Sequence, residues 1–248
     1  MDLKPADDET LDRFYHGRIR VLQKRKGYRF SLDAPLLADF IQTRVDDEGL
    51  ELGTGSGIIT LLLSIKPFRH ITALELQPAL FSLAAKNVRL NGLEDRITVL
   101  QQDLVTFNPA RAFSLIFANP PYHARGRGNL SGSIEKSIAK HELKCDIFAI
   151  MRKTAELLTP RGRACFVFPE ARRAEFSEAA AASGLGLRRE RTVRPRSGES
   201  PNLFLTEFGL EAATPWIERP LVLLRKDGEY TREAREIFAG RTNAQPDS

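Results

Sequence analysis

The chain has only two cysteines in 248 residues, which excludes a fold stapled by disulfides. Cys145 falls in a helical stretch and Cys165 in an apolar strand, each without a metal-ligating neighbour. Both therefore read as reduced structural thiols of a cytoplasmic protein. No apolar run approaches the roughly 20 residues a membrane helix needs. The opening MDLKPADDET is too acidic and polar for a signal peptide. His141-Glu142 lacks a second histidine at zinc spacing, so no metal is expected. No Gly-Lys-Ser/Thr follows a glycine-rich turn, which excludes a P-loop. Internal repeats and low-complexity tracts are also missing. What is present, 42% hydrophobic and 28% charged residues, suits one large α/β domain or two small ones.

The net charge of +5 is unevenly spread. Arg18, Arg20, Lys24, Arg25, Lys26 and Arg29 follow one another with no acid between them, and Arg188 to Arg196 holds five arginines against Glu190 alone. Such clusters favour a polyanionic partner, because each phosphate contact releases counterions; a solvated basic face is the plain alternative.

Periodicity places an N-terminal arm over residues 1–32, with short extended pieces around Ile19–Leu22. Asp33 reads as a helix N-cap, with Pro35 in the first turn and Leu36, Leu37, Phe40 and Ile41 at helical spacing. Strands are expected at Leu50–Leu52, Ile71–Leu76, Ile97–Leu100, Phe113–Ala118, Ala164–Phe168, Leu203–Phe208 and Leu221–Leu224. Helices are expected over Ile58–Lys66, Pro78–Asn91 (stopped by Gly92), Leu143–Leu158, Ala171–Ala182 (stopped by Gly184) and Arg232–Phe238. Strands alternating with helices imply an α/β, doubly wound, mostly parallel sheet. The main domain runs over 33–240, and 241–248 is expected to be a disordered tail.

Four successive strand ends carry chemistry. Glu51-Leu52-Gly53-Thr54-Gly55-Ser56-Gly57 forms a glycine-rich strand-to-helix turn, where the backbone can approach a ligand. Its glycines miss the G-x-G-x-x-G spacing, Ile58 standing where the third should be, which argues against NAD and FAD. An acid before the first glycine suits a cationic amino-acid group better than a pyrophosphate. Glu75 ends the next strand, where a carboxylate can take both hydroxyls of a ribose. Asp103, past the third, is placed to accept from an adenine amino group. Open α/β sheets bind ligands at this edge.

The fourth end carries Asn119-Pro120-Pro121-Tyr122. A planar amino group, whether on adenine or on a glutamine amide, is a poor nucleophile because its lone pair is delocalised. The Asn119 side-chain carbonyl and the Pro120 backbone carbonyl can accept its two N–H bonds and favour a more pyramidal nitrogen. The prolines stiffen the turn, and Tyr122 offers a face for a flat target. The polar, glycine-bearing stretch from His123 to Lys140 reads as a loop over the site.

On these residues the chain resembles the class I S-adenosylmethionine-dependent methyltransferases of the amino-methylating group. Within that group it is most similar to the bacterial tRNA1(Val) (adenine-N6)-methyltransferases. The likeness runs from about Gly17 to Leu224. It is carried by Gly27-Tyr28-Arg29-Phe30-Ser31-Leu32-Asp33 with Leu36-Leu37, by Glu51 to Ile58, by Asn119 to Tyr122, and by the late matches Asp227-Gly228 and Tyr230-Thr231. The resemblance implies a seven-stranded sheet of the Rossmann-like type and an S-adenosylmethionine pocket. In that pocket Glu51 and Gly53 lie by the methionine part, Glu75 at the ribose and Asp103 at the adenine, and Thr54, Gly55, Gly57 and Leu76 also bind the cofactor. Phe30 to Asp33 close it from the arm, and Asn119 borders it. It further implies Asn119, Pro120 and Tyr122 as catalytic. A tRNA partner would meet Arg18, Arg20, Lys24, Arg25, Lys26, Arg125, Arg127, Arg194 and Arg196. Methylation of a protein glutamine or of guanine-N2 in ribosomal RNA are rival activities, and a non-catalytic RNA-binding module is a rival of another class. The first strand departs from the family in its polar start, Asp47-Glu48-Gly49.

Overall fold

The structure, a computed structural model, describes residues 5–26, 32–120, 147–211 and 213–240. The N-terminal arm is a regular antiparallel hairpin, β1 (Glu9–Phe14) and β2 (Ile19–Lys24), closed by a tight turn in which Tyr15 and His16 take positive φ. The acids of β1 fold back on the cations of β2. Lys24 pairs with Asp8 at 2.8 Å, and Glu9 receives Lys86 from a later helix at 2.6 Å. The hairpin is thus less basic than its second strand alone.

Helix α1 spans Asp33–Phe40; Asp33 is its first helical residue and not its cap, Leu32 standing before it. The far end of α1 meets an unusual concentration of buried cations. Lys66 donates to the carbonyls of Ala38, Asp39 and Ile41 at 2.7–3.0 Å, Arg189 to that of Phe40 at 2.6 Å, and Arg163 to that of Gln42 at 3.0 Å. Five consecutive carbonyls, left over where a helix ends, find charged donors. Burial pulls the Lys66 ammonium down to about 8.

The main sheet takes the order β10-β8-β9-β7-β6-β3-β4-β5, with β11 also on β8. Its strands are β3 (Glu48–Leu52), β4 (His70–Glu75), β5 (Ile97–Gln101), β6 (Phe113–Ala118), β7 (Leu158–Pro169), β8 (Gly186–Arg196), β9 (Leu203–Gly209), β10 (Trp216–Ile217) and β11 (Leu221–Leu224). Strands β5-β4-β3-β6-β7 are parallel, and β9 runs antiparallel to both β7 and β8. The sheet has nine strands where seven were expected, β8 and β10 being the additions, and the chain after β9 returns along the free edge of β8. There it pairs twice in parallel, broken around Pro220, which has no N–H to give.

Between the strands lie α2 (Ile58–Leu63), α3 (Pro78–Leu90), α4 (Ile147–Leu157), α5 (Arg173–Ala182) and, last, α6 (Arg232–Phe238). Alternate residues of β6 and β7 enter two different cores. Leu115, Phe117, Cys165 and Val167 pack with α1, α2 and α6, while Ile116, Ala118, Ala164 and Phe166 pack with α4 and α5. That is period-two burial with helices on both faces.

Two expectations change in the interior. β3 starts at Glu48, not Leu50, and its polar start is anchored. Asp47 takes Arg163 at 2.6 Å and the Ser114 hydroxyl at 2.8 Å. Gly49 is required because a Cβ there would stand 2.9 Å from Ile71. The arginine cluster of residues 188–196 is β8, a strand the charge pattern concealed. Arg189 pairs with Glu207 and Glu218 at 3.0 Å, and Arg191 with Glu233 at 2.5 Å. Cys165 lies fully buried, and burial raises its thiol pKa; Cys145 lies outside the described residues. No described helix is long and apolar enough to cross a membrane.

Candidate active site

Strand register brings the chemistry-bearing ends together. Leu52 pairs with Leu74, Glu75 with Gln101 and Glu51 with Phe117, so β3, β4, β5 and β6 finish at one edge. The chain order reverses between β3 and β6, where open sheets leave a crevice. Gly53, Gly55 and Gly57 all have positive φ, and a Cβ at Gly53 would meet nothing within 4 Å. The turn therefore needs glycine for its conformation and leaves its outer surface clear for a ligand.

Hydrogen bonds stitch the turn to the neighbouring strand ends. The Thr54 N–H donates to the Leu74 carbonyl at 2.8 Å, and the Gln102 N–H to the Glu75 carbonyl at 3.0 Å. Glu75 accepts the Gly55 N–H on one oxygen at 2.8 Å and the Gln77 N–H on the other at 2.9 Å. Burial raises its pKa, and those backbone bonds oppose the rise. Each oxygen keeps a lone pair, so the carboxylate is oriented and can still take two hydroxyls. Leu76 beside it is 38% exposed, an apolar surface at the same edge. Asp103 is fixed by accepting the Val105 N–H at 2.8 Å.

Glu51 is enclosed at the root of the turn. It is 1% exposed and accepts the hydroxyls of Thr54 and Thr60, both at 2.5 Å. Burial pushes its pKa up to about 7 against those two bonds. Its geometry braces the glycine turn. The Ser56 hydroxyl, also buried, has no hydrogen-bond partner among the described residues. An open Gly53, an oriented carboxylate and an exposed leucine fit a nucleoside joined to an amino-acid tail.

Asn119 follows β6 directly and is half-buried, with Pro120 buried after it. Lys66, just past α2, holds the end of α1. Asp33 is the first residue of α1. Phe30, Tyr122, Arg125, Arg127 and the stretch from His123 to Lys140 lie outside the described residues.

Among the described residues, the predicted RNA contacts do not form one patch. Helix α3 leaves the site edge at Pro78 and ends on the opposite side, and β2 runs antiparallel to it. Arg20 caps that opposite end, donating to the Leu90 carbonyl at 2.5 Å, with exposed Arg18 beyond it. Lys24, Arg25 and Lys26 run toward the site, the last two exposed. Arg194 is half-buried; Arg196 faces Glu199 at 3.5 Å. Both sit on β8, three strands from β6 or about 14 Å. No described group of three His, Cys, Asp or Glu could hold a metal ion.

Sequence reasoning missed Asn87 and Asn91 on α3. Asn87 is fully buried and bonds both Leu22 of β2 and Ser56 of the glycine turn. A fully polar amide on the apolar stripe of α3, with Leu80, Leu83 and Ala84, was the available signal.

Comparisons with known proteins agree with this geometry. A tRNA1(Val) (adenine(37)-N6)-methyltransferase of Tolumonas auensis is 29% identical over 222 residues, 89% of this chain and 92% of its own. One of the same name from Vibrio cholerae is 27% identical over 203 residues, 82% of this chain and 83% of its own. Among solved structures, a predicted O-methyltransferase of Agrobacterium tumefaciens shares the fold with a TM-score of 0.68 at 18% identity, covering 87% of this chain and 99% of its own. The family model described as "Methyltransferase small domain" matches residues 31–175, more than half of the sequence and both sides of the crevice, and the chain belongs to that family.

Proposed function

We propose that this chain transfers a methyl group from S-adenosylmethionine to the exocyclic N6 of an adenine in a tRNA, the adenine at position 37 of a valine tRNA being the first candidate. The observation that carries the reading is Asn119 at the end of β6, on the edge where the glycine turn, Glu75 and Asp103 converge. Relatives spanning most of the chain carry that activity in their names, which supports tRNA over ribosomal RNA or a protein glutamine. The cytoplasm, where tRNA is matured, is the corresponding compartment.

In this reading Gly53 to Gly57, Glu75, Leu76 and Asp103 hold the cofactor, with the segment up to Asp33 closing over it. When bound, the cofactor supplies a methyl group on a sulfonium, which needs no metal and no covalent enzyme intermediate. The protein's own contribution is alignment and charge stabilisation. Asn119 and the Pro120 carbonyl accept the amine's two N–H bonds, so its lone pair points toward the incoming carbon. The same carbonyls stabilise positive charge growing on nitrogen, and the surplus proton leaves to solvent. An adenine in folded RNA must be splayed out to reach them.

The test is incubation with methyl-labelled S-adenosylmethionine and unmodified total tRNA, then nucleoside digestion and mass spectrometry. Labelled N6-methyladenosine is expected; labelled N2-methylguanosine from ribosomal RNA, or labelled protein glutamine, would overturn the substrate. Asn119→Ala should lower turnover by at least about a hundredfold while cofactor affinity stays within about twofold. Wild-type turnover in that variant would sink the mechanism.

A further inference from the structure

Strand β2 uses one edge to pair with β1; its other edge is completed by a helix. Asn91 accepts the Arg20 N–H at 2.9 Å and donates to the Arg20 carbonyl at 2.7 Å. One turn earlier, Asn87 accepts the Leu22 N–H at 2.7 Å and donates to the Leu22 carbonyl at 3.0 Å. The spacings match: four helical residues rise about 6 Å, and two strand residues about 6.6 Å. Two asparagine amides thus stand in for a neighbouring strand.

The two amides differ in what else they hold. Asn91 spends its second N–H on its own helix, at the Asn87 carbonyl. Asn87 spends its second N–H on the Ser56 carbonyl at 2.9 Å, inside the glycine turn. A single buried amide therefore fixes both the cofactor turn and the strand that runs on into Lys24, Arg25 and Lys26. Its three bonds use both N–H groups and the carbonyl, so neither segment can shift without leaving a buried polar atom unpaired.

We propose that Asn87 is a positioning residue that joins the N-terminal hairpin to the cofactor turn, so that filling the cofactor pocket stiffens β2. The inference rests on the cofactor reading above, and it makes the hairpin's basic end responsive to whether cofactor is bound. The coupling is reciprocal: a polyanion ordering the hairpin would tighten cofactor binding by the same factor.

The test is amide hydrogen exchange of the full chain with and without saturating S-adenosylhomocysteine, read at residues 20–24. In the wild type these amides should exchange about tenfold more slowly with ligand. Asn91→Ala should speed exchange in β2 without ligand yet keep both the ligand-induced slowing and the ligand affinity. Asn87→Asp keeps an acceptor for the Leu22 N–H but loses both donors. It should abolish the slowing and weaken ligand binding about tenfold. Asn87→Ser is the smaller, uncharged companion and should behave alike. If bound S-adenosylhomocysteine leaves wild-type β2 exchange unchanged, the proposal falls while the cofactor reading stands, even if Asn87→Asp does not fold. Equal effects of the Asn87 and Asn91 variants on ligand affinity would reduce Asn87 to hairpin packing and overturn the proposal. Failure of the ligand to bind would overturn both readings.

Discussion

At the scale of single residues, Glu51 shows how a buried side chain braces the glycine turn through Thr54 and Thr60. Its pKa is raised from an ordinary 4.5 to about 7. Between those values the folded chain holds a proton that the unfolded chain has released. The stability this group contributes is therefore full below pH 4.5 and lost as pH rises through 7. Glu51→Gln keeps an acceptor for both threonine hydroxyls and removes the ionisation. Thermal unfolding from pH 5 to 8 should show the wild type losing stability relative to the variant, with the curves converging at the acid end. Parallel curves would contradict the raised pKa. The glycine turn, Glu75 and Asp103 were legible because strand ends are marked by where apolar runs stop. The bracing role of Glu51 was not, because Thr54 and Thr60 identify themselves as its partners only once the turn is folded. Asn87 was hidden for a similar reason: its partners lie 31 and 65 residues away.

At the scale of elements, β3 and β8 show where charge misleads. β3 begins on a buried pair, Asp47 with Arg163, in which both side chains are almost fully enclosed. Asp47→Ala would leave a guanidinium buried without its counter-charge, costing about 3–5 kcal/mol. Urea denaturation should show that loss; a midpoint equal to the wild type would mean that Arg163 finds another partner. In β8 the alternation of Arg189, Arg191 and Val193 toward the interior is ordinary strand periodicity written in arginine. The sequence shows five cations, but not that Glu207, Glu218 and Glu233 come to meet two of them. By contrast α3 was readable from end to end, since Pro78 opens it and Gly92, with positive φ, follows its end.

At the scale of the whole molecule, the interior claims some of the cations that the sequence offered to RNA. Arg20 caps a helix and Lys24 answers Asp8, which leaves Arg25 and Lys26 as exposed charges of the hairpin on the site side. Reversing both to glutamate should weaken tRNA binding about tenfold at low salt and flatten its salt dependence, with cofactor affinity unchanged. Filter binding across a salt series measures both; an unaltered slope would move the interface elsewhere. The α/β class and parallel order followed from alternating periods, whereas β8 and β10 are defined by their pairing with each other and with β9. One long-range arrangement bears on the order in which the protein is made. The far end of α1 receives donors from Arg163 and Arg189, 121 and 149 residues later in the chain. A nascent chain that has produced α1 must wait for those arginines to clear the ribosome before the far end of the helix is held. The helix synthesised first is thus among the last to be secured.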